Sequence, residues 1–158
     1  MISLVRIDDR LVHGQVAYGW TSTLEANVIL VVNDEAKNDK VRAMALNMAK
    51  PQNAKLYIRG VEESGEIVQK FSESQKSNVL VIVKDIEDAL TLINNSAGTI
   101  KHLNVGGLRY EKGKKKLTDL VSVDEKEIKQ LKEIEKMGIE VEFRMLPRDK
   151  KKSLSELI

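Results

Sequence analysis

The chain has 158 residues, with 26 Lys and Arg against 24 Asp and Glu, so its formal charge of +2 gives no global drive toward nucleic acid or anionic lipid. Aromatic residues make up 4%, too few for a base-stacking platform, and the absence of cysteine excludes a disulfide framework, thiol catalysis and zinc–thiolate sites. No apolar run approaches the ~20 residues that span a bilayer, and Met1-Ile2-Ser3-Leu4-Val5 lacks a basic leader, so no signal peptide is expected; the lack of cysteine is compatible with a reducing cytoplasm.

Ile2–Ile7 reads as a short buried strand, followed by a loop and a helix over Gln15–Leu24 that keeps Val16, Trp20 and Leu24 on one face. Asn27–Val32 is a near-continuous apolar run, as in a parallel strand covered on both faces. Asn33-Asp34 can cap a helix from Glu35 to about Ala49, with Val41, Met44, Ala45 and Met48 inward and Pro51 as its stop. Lys55–Arg59 is a third strand, Val61–Phe71 a helix and Ser72–Ser77 a polar loop. Asn78–Val83 is the fourth strand, and a helix over Ile86–Asn95 places Ala89, Leu90 and Ile93 inward. Ile100–Val105 is the fifth strand, ending at Gly106-Gly107. Leu108–Lys116 reads as an extended basic loop and Lys116–Val123 as a short irregular strand. Asp124 caps a helix through Lys136 that Gly138 ends, Ile139–Met145 is the last strand, and Ser153–Ile158 closes as a helical turn. Strands alternating with helices, without repeat or linker, predict one domain over residues 1–158. Its fold class is a three-layer α/β/α open twisted sheet, mainly parallel, with helices on both faces.

In such a sheet, ligands sit outside the carboxyl ends of the strands, against the N-termini of the following helices. That edge would gather Asp8, Asp9, Arg10 and His13 after the first strand, and Asn33 and Asp34 after the second. Lys84 and Asp85 would follow the fourth, and Gly106 and Gly107 the fifth. The densest chemistry lies in Arg6-Ile7-Asp8-Asp9-Arg10-Leu11-Val12-His13-Gly14-Gln15-Val16, where Gly14 lets the backbone turn closely beneath a bound group. His13 can serve as a nucleophile that carries a phosphoryl group, or as a structural histidine. Metal ligation lacks partners, because the one other histidine, His102, lies far along the chain. Arg10 can clamp a phosphate or pair with Asp8 or Asp9; those carboxylates can orient the imidazole or merely shape the loop. Asp34 reads as a cap rather than a base, and His102 as a surface or partner-facing strand residue. Neither a Walker A sequence nor Gly-x-Gly-x-x-Gly is present, which argues against direct nucleotide use.

The stretch from Arg6 to Val16, followed by Trp20, closely resembles the enzyme IIB component of the mannose/fructose/sorbose family of the bacterial phosphoenolpyruvate-dependent sugar phosphotransferase system. Val32-Asn33-Asp34-Glu35, Asn104-Val105-Gly106-Gly107, Val121-Ser122-Val123-Asp124 and Arg144-Met145-Leu146-Pro147 extend the resemblance along the chain. It implies a phosphotransferase in which His13 accepts phosphate from a phosphohistidine of an enzyme IIA partner, through Nδ1. The phosphate then passes to a sugar bound by membrane-embedded IIC and IID components. It further implies that Arg10 neutralises the phosphoryl charge and that backbone N–H groups around Leu11, Val12 and Gly14 bind it. Asp8, Asp9, Asp34, Lys84 and Gly106 would support the site, with no cofactor, no metal and no nucleic acid. Peripheral association with the membrane through the permease follows, and a homodimer is compatible with it.

One departure is Gly19, which costs about 1 kcal/mol of helix propensity relative to Ala and would loosen the first helix or make room for a partner. Two other readings remain open: a module that binds phosphate or sugar phosphate without a covalent step, and an interaction protein with a vestigial site. The second would rely on the basic clusters Lys112-Gly113-Lys114-Lys115-Lys116 and Arg148-Asp149-Lys150-Lys151-Lys152, which otherwise read as solvated surface.

Overall fold

Val28–Val32 (β2) and Val79–Val83 (β4) are five-residue runs of Val, Ile and Leu in which every side chain is buried. Only an interior strand covered on both faces hides both sides of its pleat, and the two pair with each other in parallel. Ile2–Asp8 (β1) pairs on the far side of β4, and Lys55–Arg59 (β3) on the outer side of β2. His102–Gly107 (β5) lies beside β1, with Glu140–Phe143 (β8) beyond it. The two-residue strand Lys152–Ser153 (β9) closes that edge, antiparallel to β8. The order is β3-β2-β4-β1-β5-β8-β9, and apart from β9 the sheet is parallel, as expected. The computed structural model describes residues 1–158.

Gly14–Leu24 (α1), Asp34–Asn38 (α2) and Lys40–Ala49 (α3) cover one face, where Trp20, Val16, Ala36 and Leu46 pack on Leu4, Ile29, Leu80 and Ile82. Val61–Glu73 (α4), Ile86–Asn94 (α5), Glu125–Lys136 (α6) and Leu154–Leu157 (α7) cover the other, around Val5, Ile7, Val81, Leu103 and Val141. From β1 the chain crosses toward β2, whereas from β5 it crosses toward β8, so the connections diverge between β1 and β5. The crevice outside their carboxyl ends is the topological switch point.

Two expectations are corrected. The helix predicted over Glu35–Ala49 is two helices, α2 and α3, broken at Asp39 (φ −120°, ψ 105°), whose carboxylate accepts the N–H groups of Val41 and Arg42. In α3, Ala43, Leu46 and Ala49 turn inward, and Val41, Met44, Ala45 and Met48 face solvent, the reverse of the expected face. Residues 109–114 form a loop as expected, but the stretch after them, read as one irregular strand over Lys116–Val123, is an antiparallel hairpin of Lys115–Thr118 (β6) and Val121–Val123 (β7). Leu108 anchors it, donating its N–H to Leu120 O and accepting from Ser122 N–H.

Gly19 does not interrupt α1, which is continuous from Gly14 to Leu24. A Cβ there would lie 3.6 Å from Pro147 Cδ and 3.7 Å from Leu146 Cδ2, both ordinary contacts. Gly19→Ala should therefore raise stability by about 0.5–1 kcal/mol, read as a higher denaturation midpoint.

Candidate functional site

Side chains alternate along β1. Val5 and Ile7 join the core beneath α4–α6, while Leu4, Arg6 and Asp8 face α1. Two charged residues on a covered face are the anomaly around which the site is built. Arg6 is 1% exposed, and register places it beside Asn104 of β5, which stands beside Glu142 of β8. Its guanidinium donates to Asn104 Oδ1 (2.7 Å) and to Asp8 Oδ2 (3.0 Å), and lies 5.6 Å from the centre of the Trp20 ring. Asn104 in turn donates to Glu142 Oε2 and to the carbonyl of Arg144, and Arg144 Nε donates to Glu142. Gly106 makes this possible, because a Cβ at that position would stand 2.1 Å from Arg6 Cζ.

The loop after β1 is held by its own backbone and by two apolar plugs. Asp8 Oδ1 accepts the N–H of Arg10, and the carbonyl of Asp8 accepts the N–H of Leu11. Leu11 takes a left-handed conformation (φ 58°) that strains a non-glycine residue, and its side chain and that of Val12 are buried in the α1 core. His13, extended at φ −152°, is the N-cap residue of α1, and Gly14 follows at φ +43°. The imidazole folds back so that Nε2 lies 2.8 Å from Asp8 Oδ2, the oxygen that also accepts from Arg6. Its side chain is 15% exposed, sheltered yet reachable.

Burial pushes the Asp8 carboxyl upward, but the His13 hydrogen bond, the Arg6 charge and the Arg10 N–H outweigh it and hold it below the usual carboxylate range. An ionised carboxylate only accepts, so the proton of a neutral imidazole resides on Nε2 and the Nδ1 lone pair is free. That nitrogen stands at the start of α1, where the first N–H groups have no partner within the helix.

The other expected residues divide. Arg10 is exposed and pairs with neither Asp8 nor Asp9. Asp9 instead accepts from the N–H and Nε of Arg109, while its own N–H bonds Gly107 O and ties the loop to β5. Leu11 donates its N–H to the Asp8 carbonyl, whereas the N–H groups of Val12 and Gly14 are not taken up by another residue. Asp34 accepts from the N–H of Val61 at the start of α4, a cap for a different helix from the one expected. Lys84 pairs with Glu35 and, with Asp9, Asp85 and Arg109, lines a polar cavity of about 470 Å³. His102 is partly exposed, and its Nε2 lies 3.2 Å from Glu142 Oε1, at the far end of the Arg6 network. Arg6, Glu142 and Arg144 carry the site's electrostatics without having been singled out. The available signal was an arginine inside the apolar run Ile2–Ile7.

Removing one member of a buried pair strands the other charge, so Asp8→Asn should cost about 3–5 kcal/mol in chemical denaturation. The contribution of Asp8 is present above its unfolded pKa and lost as pH falls through its lower folded value, so the gap between wild type and variant should close in acid. Asp88 has the opposite sign. Burial, with Asp85, Asp34 and Glu87 nearby, pushes it up to about 6. The native state thus holds a proton that the unfolded chain releases near pH 4, and stability falls as pH rises from 4 through 6. Asp88→Asn should raise the melting temperature at pH 7–8 and leave it nearly unchanged at pH 4.

Comparison with known proteins places this geometry. The family model described as PTS system sorbose subfamily IIB component matches residues 2–158. The sorbose-specific EIIB component of Klebsiella pneumoniae is 34% identical over 148 residues, 94% of this chain and 89% of that protein. The mannose-specific EIIAB component of Escherichia coli strain K12 is 33% identical over 160 residues, which is 100% of this chain but 48% of that protein. The crystal structure of the IIBSor domain of the Klebsiella pneumoniae sorbose permease aligns with a TM-score of 0.89 at 31% identity, covering 99% of this chain and 94% of that one. By family model, by sequence and by fold, this chain belongs to the sorbose-subfamily IIB components of the phosphotransferase system, which transfer phosphoryl groups in sugar uptake.

Proposed function

We propose that His13 is the phosphoryl carrier: Nδ1 accepts the group from a phosphohistidine of an enzyme IIA partner and delivers it to a sugar held by the membrane IIC and IID components. The observation that carries this reading is the 2.8 Å contact between His13 Nε2 and Asp8, which leaves Nδ1 as the nucleophile. In the first step the Nδ1 lone pair attacks phosphorus as the donor's P–N bond breaks and the donor imidazole leaves. Positive charge appears on the His13 ring, and the Asp8 carboxylate stabilises it through the Nε2 proton. In the second step a sugar hydroxyl attacks phosphorus, the Nδ1–P bond breaks and the neutral imidazole returns. The hydroxyl proton goes to a base beside the sugar.

Between the steps, the N–H groups of Val12 and Gly14, the positive end of the α1 dipole and the exposed Arg10 guanidinium offset the phosphoryl charge. Such a relay between imidazoles uses positioning and electrostatics rather than a metal or soluble cofactor. The carrier works in the cytoplasm beside its permease. Relatives named for sorbose and for mannose fit a specificity held largely by the membrane components.

The test is transfer of labelled phosphate from phosphoenolpyruvate through enzyme I, HPr and a matching IIA. Wild type and His102→Ala should take up acid-labile label, and His13→Ala none. Asp8→Asn, assayed where it is folded, should be charged about 10–100-fold more slowly. A folded wild type that stays unlabelled beside an active IIA would overturn the carrier role in favour of non-covalent phosphate binding.

A further inference from the structure

The helix α3 carries its largest apolar side chains on the outside. Val41 is 77% exposed, Met44 65% and Met48 85%, and Ala45 between them is exposed as well. These positions are i, i+3, i+4 and i+7, a single stripe along the helix. The row that holds α3 to the sheet is Ala43, Leu46 and Ala49, of which only Leu46 is fully buried. The helix has the pattern of an amphipathic element, but its apolar side is turned away from its own core.

Lys40, Arg42 and Lys50 flank the stripe, and no Asp or Glu occurs from residue 40 to residue 50. Asp39, just before it in sequence, caps the helix through the N–H groups of Val41 and Arg42, and Glu35 pairs with Lys84. A second copy of this chain is a poor occupant, because a two-fold pairing of the stripes would set Lys40, Arg42 and Lys50 against themselves. A bilayer is also a poor one, because the stripe has no Trp, Phe or Leu to anchor it in the headgroup region. An i, i+3, i+4, i+7 ridge is the inserting half of helix-in-groove recognition, and methionine adapts readily to such a groove. The matching partner has an apolar groove with an acidic rim.

Resting on the carrier reading above, we propose that this face of α3 docks the protein onto such a groove on the membrane-embedded sugar permease. The edge around His13 is polar, with Arg10, Asp9 and Arg109, and suits brief contact with a soluble donor. An exposed apolar ridge suits a longer-lived contact, since standing interfaces are the more apolar ones.

Met44→Asp/Met48→Asp tests the assignment, because both side chains are exposed and their replacement should leave the thermal midpoint nearly unchanged. The two halves of the relay are measured separately. Charging by soluble IIA should be the same in variant and wild type, while discharge to sugar by membranes bearing the permease should fall about tenfold or more. Co-sedimentation of the uncharged protein with permease-bearing vesicles should fall in parallel, and this readout stands even if no charging occurs at His13. Equal discharge by both proteins would overturn the proposal, as would a loss confined to charging. Binding of wild type, but not variant, to protein-free vesicles of the same lipids would assign the stripe to the bilayer. A wild-type dimer that the variant abolishes in sedimentation velocity would assign it to a second copy.

Discussion

The Arg6–Asp8 pair is the constraint on which the site depends. Both side chains are almost wholly removed from water, and neither charge would be tolerable there alone. Their neighbours read as the means of satisfying them. Gly106 leaves the volume for the guanidinium, Asn104 accepts from it, and the Trp20 ring lies within cation–π distance. Glu142 and Arg144 extend the hydrogen bonding across β5 to β8. Burial pushes the Glu142 carboxyl up, but His102, Asn104 and Arg144 outweigh it and keep it below the usual range.

What this network delivers to the surface is one oriented imidazole. Asp8 stands at the end of a strand interior to the sheet, so its position is set by a rigid element rather than by the loop it supports. The loop is short and bolted by the buried side chains of Leu11 and Val12, with Leu11 held in a strained backbone conformation. The strain is localised where pre-organisation of the next residue but one, His13, has chemical value. The switch point between β1 and β5 puts His13 at the edge where ligands of open α/β sheets sit.

The molecule distributes its polar and apolar surface unevenly. Near His13, Asp9 and Arg109 are charged and paired, while the most exposed apolar side chains, Val41 and Met48, lie on α3. The periodicity of α3 alone suggested the opposite, with its methionines inward; the sheet instead takes up Leu46.

Much was legible in residue order. Apolar five-residue runs can be satisfied only as covered parallel strands, so β2, β4 and the layered α/β class followed from local composition. The helix capped by Asp124 and ended at Gly138 was equally plain, and His13 stood out by context. Tertiary structure decided which carboxylate lies against the imidazole: Asp8, at the end of β1, points inward to Arg6 and His13, while Asp9, in the turn after it, points away to Arg109. It also decided which face of α3 is covered, because Leu46 packs on the sheet and the methionines stay outside, and it decided the role of Arg6. Asn104, which Arg6 bonds directly, lies 98 residues away, and Glu142 beyond it joins the network only through the register of β1, β5 and β8. Periodicity reports which face a residue occupies on its own element; which charges share that face from other strands is set by pairing across the sheet.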